Sequence, residues 1–289
     1  MNEIVIMKQD DYPPQLLEIP EPPQKLYIRG TLPGKDALYL AVVGSRKYTS
    51  YGKEACEKII NELAGSGIVI VSGLALGIDA IAHRAALDAG LTTVAFPGSG
   101  LNDDVLYPAT HHNLAKKIIE AGGALLSEFE PDFKATPYSF PQRNRLMAGI
   151  CRGVLIVEAE ELSGTRITAR LATEYNRDVF VVPGSIFSPQ SRGAHQLLKL
   201  GATPVMSGND ILEHWGIRSK LNVEGGMLKI LEKCSDGEKK VIELLNEPLT
   251  KDELIRALAL PTHAAYALIS TMEIKGLIIE TDGEIRVNI

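Results

Sequence analysis

From Ala37 onward, short runs that are apolar at almost every position alternate with longer stretches in which apolar residues recur every three or four places. The runs are LYLAVV (38–43), IVIVSG (68–73), TTVAFPG (92–98), GALLSE (123–128), GVLIVEA (153–159), DVFVVPG (178–184) and TPVMS (203–207). Between them lie the periodic stretches GKEACEKIINELAGSG, GIDAIAHRAALDAG, HHNLAKKIIEAGG, GTRITARLATEYN and RGAHQLLKLG. A run without polar alternation is a strand buried on both faces, and an amphipathic stretch after it is a crossover helix. Their repetition predicts an α/β domain over 37–216, with an extended, doubly wound, mostly parallel sheet.

Both ends of the chain break this pattern. Residues 1–36 are polar, with five prolines between Pro13 and Pro23, and predict an extended arm that ends in the short strand KLYIRG. Around 217–227 the polar stretch IRSKLNVEGG reads as a linker. After it, DGEKKVIELLNE, TKDELIRALAL and THAAYALISTMEIKGL predict three amphipathic helices, and LIIETDGEIRVNI predicts a hairpin turning at Asp282-Gly283. Three helices and a hairpin over 228–289 predict a small winged-helix domain.

Composition narrows the function classes. A chain of 289 residues with 45% hydrophobic and 23% charged residues can bury a core without disulfides. Its cysteines, Cys56, Cys151 and Cys234, are scattered and lack metal-ligand spacing. No signal-peptide pattern opens the chain, and no apolar run approaches the ~18 residues of a membrane span, so a cytoplasmic protein away from the membrane is expected. A net charge of −6 excludes a generally basic surface but permits a local basic cleft.

Ligands of a doubly wound sheet bind beyond the carboxyl ends of its strands. Those ends carry small and hydroxylated residues here. Gly44, Ser45 and Arg46 follow the first strand, with Thr49 or Ser50 as the next helix cap; SGLALGID follows the second, opening on Ser72 and Gly73. PGSG, ELSGTRIT (with Ser163, Gly164, Thr165 and Arg166) and Pro183-Gly184-Ser185 follow later ones. Five such loops on one rim predict an anion-binding edge. A Walker A loop is missing, because Gly52-Lys53 is followed by Glu54, and GSGLND at 98–103 lacks the third glycine of a dinucleotide fingerprint.

FPQRNRLMAGI at 140–150 supplies cations. Pro141 suits a helix start, so Arg143 and Arg145 are expected in the first turn, where the helix dipole disfavours cations unless an anion is shared. Phe140 is a candidate ring for stacking on an unpaired base. The competing reading is a salt bridge to Glu128 or Glu130 with Phe140 in the core. The phosphate-binding candidates are therefore Gly44, Ser45, Arg46, Ser72, Gly73, Arg143, Asn144, Arg145, Ser163, Gly164, Thr165 and Arg166, with Arg46 the foremost. Asp79 and His83 share a helix face, as an acid–base or metal pair would, or as a helix cap beside a hydrogen-bonded histidine. His111-His112 are expected to begin a solvent-facing helix. Glu128, Glu158 and Asp178 have no evident nucleophile or metal partner, so no catalytic residue, metal or cofactor is expected.

GSR, VSGLALGIDAIAH, SE at 127–128, FPQRNRLMAG, VEAEELSGTRITAR, VFVVPG and GAHQLLKLGA occur in this order over about residues 25–215. Together they closely resemble the bacterial DNA-processing protein A family (DprA/Smf). The resemblance implies an extended Rossmann-like domain that binds single-stranded DNA without sequence preference. It also implies a homodimer that protects incoming DNA in natural transformation and helps load a RecA-type recombinase, and phosphate contacts at Ser45, Arg46, Arg143, Arg145 and Ser163 to Thr165. The chain departs from the family in its short N-terminal arm and in Gly193-Ala194-His195, where the family tends to carry Gly-Thr-Asn. Residues 228–289 hold eight Lys/Arg against eleven Asp/Glu, a net of 8 − 11 = −3, which favours a protein partner over DNA. The alternatives are a nucleotide-binding or nucleoside-phosphate-hydrolysing enzyme, and a mononucleotide sensor acting through the winged domain.

Overall fold

The computed structural model describes residues 3–161, 163–217, 234–245, 249–258, 260–275, 277–281 and 283–287. The chain forms two compact units, Met1–Ser219 and Lys220–Ile289. Most of the expected linker, and Asp282 of the expected hairpin turn, lie outside the described residues.

In the larger unit the strands are β1 (Ile4–Ile6), β2 (Tyr27–Gly30), β3 (Tyr39–Val43), β4 (Val69–Ser72), β5 (Thr93–Ala95), β6 (Ala124–Ser127), β7 (Gly153–Ile156), β8 (Asp178–Val181) and β9 (Thr203–Pro204). The helices are α1 (Pro14–Leu17), α2 (Ser50–Glu62), α3 (Ile78–Asp88), α4 (His112–Glu120), α5 (Ser139–Ile150), α6 (Thr165–Glu174), α7 (Arg192–Lys199) and α8 (Gly208–Trp215). The strands lie in the order β1-β2-β6-β5-β4-β3-β7-β8-β9. The seven from β6 to β9 are parallel, while β2 runs antiparallel to β6 and β1 antiparallel to β2.

Every expected strand run from 38 to 207 forms one of these parallel strands. The reason is visible in β3. Tyr39, Ala41 and Val43 pack on one face with Leu146, Ile150, Ala169 and Ala194, while Leu40 and Val42 pack on the other with Ile59, Ile60, Ile81 and Trp215. Both faces of the strand meet apolar side chains, so no polar position interrupts it. Chain order reverses between β3 and β7, which makes their carboxyl ends the switch point of the sheet.

The arm is more than an overlay. Tyr12, Leu16, Ile19, Leu26 and Ile28 are buried in the same core as α5, and Gly149 is bare because a Cβ there would meet Ile19 Cγ2 at 2.9 Å. It also adds the edge strand β1, too short to show a period in sequence. Helix α8 likewise has no counterpart among the expected elements; it opens on a reciprocal Ser207–Asp210 capping box and ends on Gly216 in the left-handed region.

The smaller unit contains the three expected helices, α9 (Asp236–Leu244), α10 (Lys251–Leu258) and α11 (Thr262–Ile274). Strands β10 (Leu249–Thr250), β11 (Ile278–Thr281) and β12 (Glu284–Val287) form a sheet in the order β10-β12-β11. Val241, Ile242, Leu254, Ile269, Met272 and Ile285 build its own core.

Candidate functional site

An open cleft of about 640 Å³ lies at the switch point. Gly44 to Lys47 after β3 form one lip, Ser163 to Thr165 at the start of α6 form the other, and Phe140, Arg143 and Asn144 of α5 complete the wall. Its charged lining is Arg46, Lys47 and Arg143 against Asp79 and Glu160, so a locally positive site sits in a chain of net charge −6.

Arg46 is exposed and has no carboxylate within ion-pair distance among the described residues; its guanidinium carbon lies 5.2 Å from the centre of the Phe140 ring. A cation held over an aromatic face keeps its outer donors available. The loop beneath it is fixed. The Lys47 N–H donates to Ser45 Oγ (3.0 Å) and the Ile78 N–H donates to the Ser45 carbonyl (3.2 Å). Gly77, at φ +87°, packs so closely that a Cβ would lie 2.3 Å from the Ser45 oxygen. Thr49 caps α2 through Gly52 N–H, and its own N–H and hydroxyl donate to the buried Glu158 carboxylate at 3.0 and 2.5 Å. Glu158 is therefore an anchor for the Arg46 loop, the partner that its sequence neighbours did not disclose.

On the facing lip, α6 begins at Thr165 with Gly164 as its N-cap and no side chain capping it. The Arg166 N–H donates back to the Ser163 carbonyl (3.1 Å) and the Ile167 N–H to the Gly164 carbonyl (3.0 Å), so the first turn of α6 closes on its own loop, and what borders the cleft beside Ser163 is the positive end of the helix dipole. Of the candidates, Gly44, Ser45, Arg46, Phe140, Asn144, Ser163, Gly164 and Thr165 line this one cleft.

The two arginines of α5 part company. The helix starts at Ser139, not at Pro141, so both lie in its second turn. Residues two apart on a helix point about 200° away from each other. Arg143 borders the floor of the cleft but is only 4% exposed, and its Nη1 donates to the Phe96 carbonyl. Gly73 makes room for it, since a Cβ there would sit 1.7 Å from that nitrogen. Burial lowers the Arg143 guanidinium to about 10, still protonated at neutral pH. Arg145 turns to the opposite side, where it pairs with Glu128 and donates to the Glu21 carbonyl of the arm at 2.5 Å. The salt-bridge reading thus holds for Arg145. Glu130 is engaged elsewhere, by Lys25 and Tyr27.

Other candidates face inward. Ser72 Oγ donates to the Val42 carbonyl (2.7 Å), tying β4 to β3, and the Gly73 N–H donates to Asp79 Oδ2 (3.1 Å). Neither offers a group to the cleft, because the loop after them turns into the protein. Leu74 adopts φ +57°, and the buried His111 Nδ1 lies 2.7 Å from its carbonyl. His111 is consequently not solvent-facing; α4 begins one residue later. Arg166 donates to the Glu161 carbonyl and faces a second groove of about 1010 Å³, bordered by Arg170, Leu197 and Leu200.

Asp79 and His83 do not meet as an acid–base pair. Burial pushes the Asp79 carboxyl up, against the pull of Arg143. It organises the loop before α3 by accepting from Gly73 and Ala75, while the helix N-cap itself is Gly77. His83 Nδ1 lies 2.7 Å from Thr93 Oγ1, and burial drives the imidazole down to about 3, so it stays neutral. Asp178 accepts from Trp215 Nε1 (2.8 Å). No group of three or more potential metal ligands occurs among the described residues, and no described helix is long and apolar enough to cross a membrane.

One further residue lines the cleft, and another adjoins it. Lys47 shares the lip with Arg46, and its position directly after it was the available signal. Tyr107 lies 5.7 Å from Phe140, ring to ring, a proximity across 33 residues that no sequence period announces.

Residues 3–216 match the model of the family DNA recombination-mediator protein A. Protein Smf of Escherichia coli K12 is 44% identical over 220 residues, covering 74% of this chain and 58% of that protein, so the chain spans little more than half of that relative. The crystal structure of DNA processing protein A from Streptococcus pneumoniae superposes with a TM-score of 0.66 at 41% identity, covering 73% of this chain and 74% of that one. DNA processing protein A from Helicobacter pylori, solved for its single-stranded DNA binding mode, superposes with a TM-score of 0.65 at 32% identity, covering 74% and 98%.

Proposed function

The chain belongs to the DNA recombination-mediator protein A family, and from that premise we propose that it binds single-stranded DNA, without base preference, in the cleft at the ends of β3 and β7. The observation that carries this reading is Arg46, a cation with no ion-pair partner among the described residues, held over Phe140 at the mouth of a cleft floored by Arg143. A phosphate meets the outer edge of the Arg46 guanidinium and the positive end of the α6 dipole, and an unpaired base has the Tyr107 ring, beside Phe140, to stack on. None of these contacts reads a base edge, so sequence tolerance follows. The phosphate-binding residues under this reading are Gly44, Ser45, Arg46, Lys47, Asn144 and Ser163 to Thr165, with Arg143 supplying charge from below.

Around that core, the protein acts in DNA uptake as a non-enzymatic mediator in the cytoplasm, protecting incoming single strands and passing them to a RecA-type recombinase. It works as a homodimer. The smaller unit is a winged-helix domain that contacts protein, in keeping with its net charge of −3 over 228–289 and a third helix, α11, without Lys or Arg. A nucleotide-hydrolysing enzyme is disfavoured because the two residues best arranged for acid–base work, Asp79 and His83, are both buried and serve structural partners.

A gel-shift competition tests the central reading. Labelled single-stranded DNA should be displaced by unlabelled single strands of any sequence, weakly by duplex and not by mononucleotides. Displacement by a mononucleotide at equal phosphate concentration, or hydrolysis of that mononucleotide, would transfer the site to the enzyme reading.

A further inference from the structure

The rim of the sheet continues past the cleft. The loop at 182–191, which follows β8, contains no carboxylate and three serines, and it ends next to the exposed Arg192. At its tip Phe187 is 88% exposed, with Ile186 beside it. A phenylalanine so exposed at a loop tip, next to an exposed isoleucine, marks a contact surface. The loop is nonetheless well anchored. The Phe187 N–H donates to Ser185 Oγ (3.3 Å), the Ser191 N–H donates to the Ser188 carbonyl (3.1 Å), and His195 Nε2 donates to the Gly184 carbonyl (3.1 Å).

Both ends of this loop are tied to segments that flank the cleft. The Tyr51 hydroxyl, on α2, donates to the Pro183 carbonyl at 2.5 Å, and Tyr51 and Tyr48 are exposed in the segment that runs directly on from Arg46 and Lys47. From the segment after β7, just before the cleft residue Glu160, the Ala159 N–H donates to the Gln190 carbonyl (2.8 Å). Because β8 neighbours β7, which neighbours β3, the loop lies within about two strand spacings, ~10 Å, of the cleft.

We propose that Phe187, with Tyr48 and Tyr51, forms a second stacking subsite for nucleobases, extending the single-stranded DNA track from the cleft across the ends of β7 and β8. The inference rests on the cleft being a single-stranded DNA site. Rings, hydroxyls and an absence of carboxylates suit a polyanion with exposed bases, and every base offers a face to a ring whatever its identity. A strand held by phosphate at Arg46 and Lys47 presents its next bases to Tyr48 and then to Phe187.

The test uses the full chain, with Phe187→Ala and Phe187→Trp, and oligothymidylates of about 6 and about 20 nucleotides, which bracket the roughly 4–16 nucleotides such sites occupy. Phe187→Ala should weaken binding of the long oligonucleotide about fivefold or more, equivalent to ~1 kcal/mol, and leave the short one unchanged. Phe187→Trp should restore affinity, and its fluorescence should be quenched by the long oligonucleotide only; the sole native tryptophan, Trp215, is buried. Unchanged affinity of folded Phe187→Ala for the long oligonucleotide, with no quenching in Phe187→Trp, overturns the proposal. A change in oligomeric mass without a change in DNA affinity also overturns it and assigns the tip to a protein contact. If the wild-type chain binds neither oligonucleotide, the DNA reading itself fails, and this subsite fails with it.

Discussion

Replacing Arg145 by alanine should cost stability and spare DNA binding, although this arginine stands in the same RNR triplet as a residue of the cleft. Its side chain is 14% exposed and that of Glu128 11%, so removing the arginine leaves a mostly buried carboxylate without its counter-charge. Breaking a buried pair in this way costs roughly 3–5 kcal/mol, and the lower end applies because both groups keep an edge in solvent. For a unit of about 200 residues, ~3 kcal/mol lowers the melting temperature by about 6–12 °C. Burial already pushes the Glu128 carboxyl up, and it rises further once Arg145 is gone. A raised carboxyl costs stability above its folded pKa and regains it as the pH falls below that value, so the gap between variant and wild type should narrow from pH 7 toward pH 5. Adding Glu128→Gln should recover most of the loss. Trp215 fluorescence reports unfolding of the larger unit, and anisotropy with a labelled oligonucleotide, at a temperature where both proteins are folded, reports binding. An unchanged melting point together with a clear loss of affinity would refute this assignment and return Arg145 to the DNA track.

Gly77→Ala should both destabilise the protein and weaken DNA binding, since its Cβ would meet the Ser45 oxygen at 2.3 Å and shift the Arg46 loop; thermal melts and anisotropy read the two effects. His83 is neutral when folded, with its pKa lowered from 6.5 to about 3, so stability should fall as the pH drops from about 6.5, by at most ~1.4 kcal/mol per pH unit for one proton. Urea titrations at pH 7 and 5 should show that slope flattened in His83→Gln. A chain ending at residue 220 should keep most of its affinity for single-stranded DNA, because the cleft lies wholly within the larger unit; a hundredfold loss in folded protein would assign DNA to the smaller unit.

The sheet was legible because its strands are buried on both faces, which writes them as uninterrupted apolar runs. Strand β1 was not, since three edge residues carry no period, and α8 was masked by its polar start, although its Ser207–Asp210 box was readable. In the site, Arg46 and Ser163 to Thr165 were legible because strand-to-helix junctions in a doubly wound sheet converge on the switch point. Arg143 and Arg145 could not be separated from sequence. Which of them meets the cleft depends on where α5 begins, and the carboxylate that claims Arg145 is 17 residues away. Ser72 and Gly73 share the composition of a binding loop, but their loop is drawn inward by His111, 37 residues beyond Leu74. Such long-range partners leave no local trace.

The most direct test is the salt dependence of single-stranded DNA affinity in Arg46→Ala, measured by anisotropy beside wild type. Arg46 makes no ion pair among the described residues, and its exposed cation–π contact with Phe140 is worth about 0.5–1 kcal/mol, so its loss should lower the melting temperature by no more than about 4 °C. Affinity should fall for every sequence alike, and the slope of log affinity against log salt should shrink by about 0.7, the signature of one lost phosphate contact on a single strand. A folded Arg46→Ala protein with wild-type affinity and wild-type slope would contradict the assignment of the cleft as the DNA site.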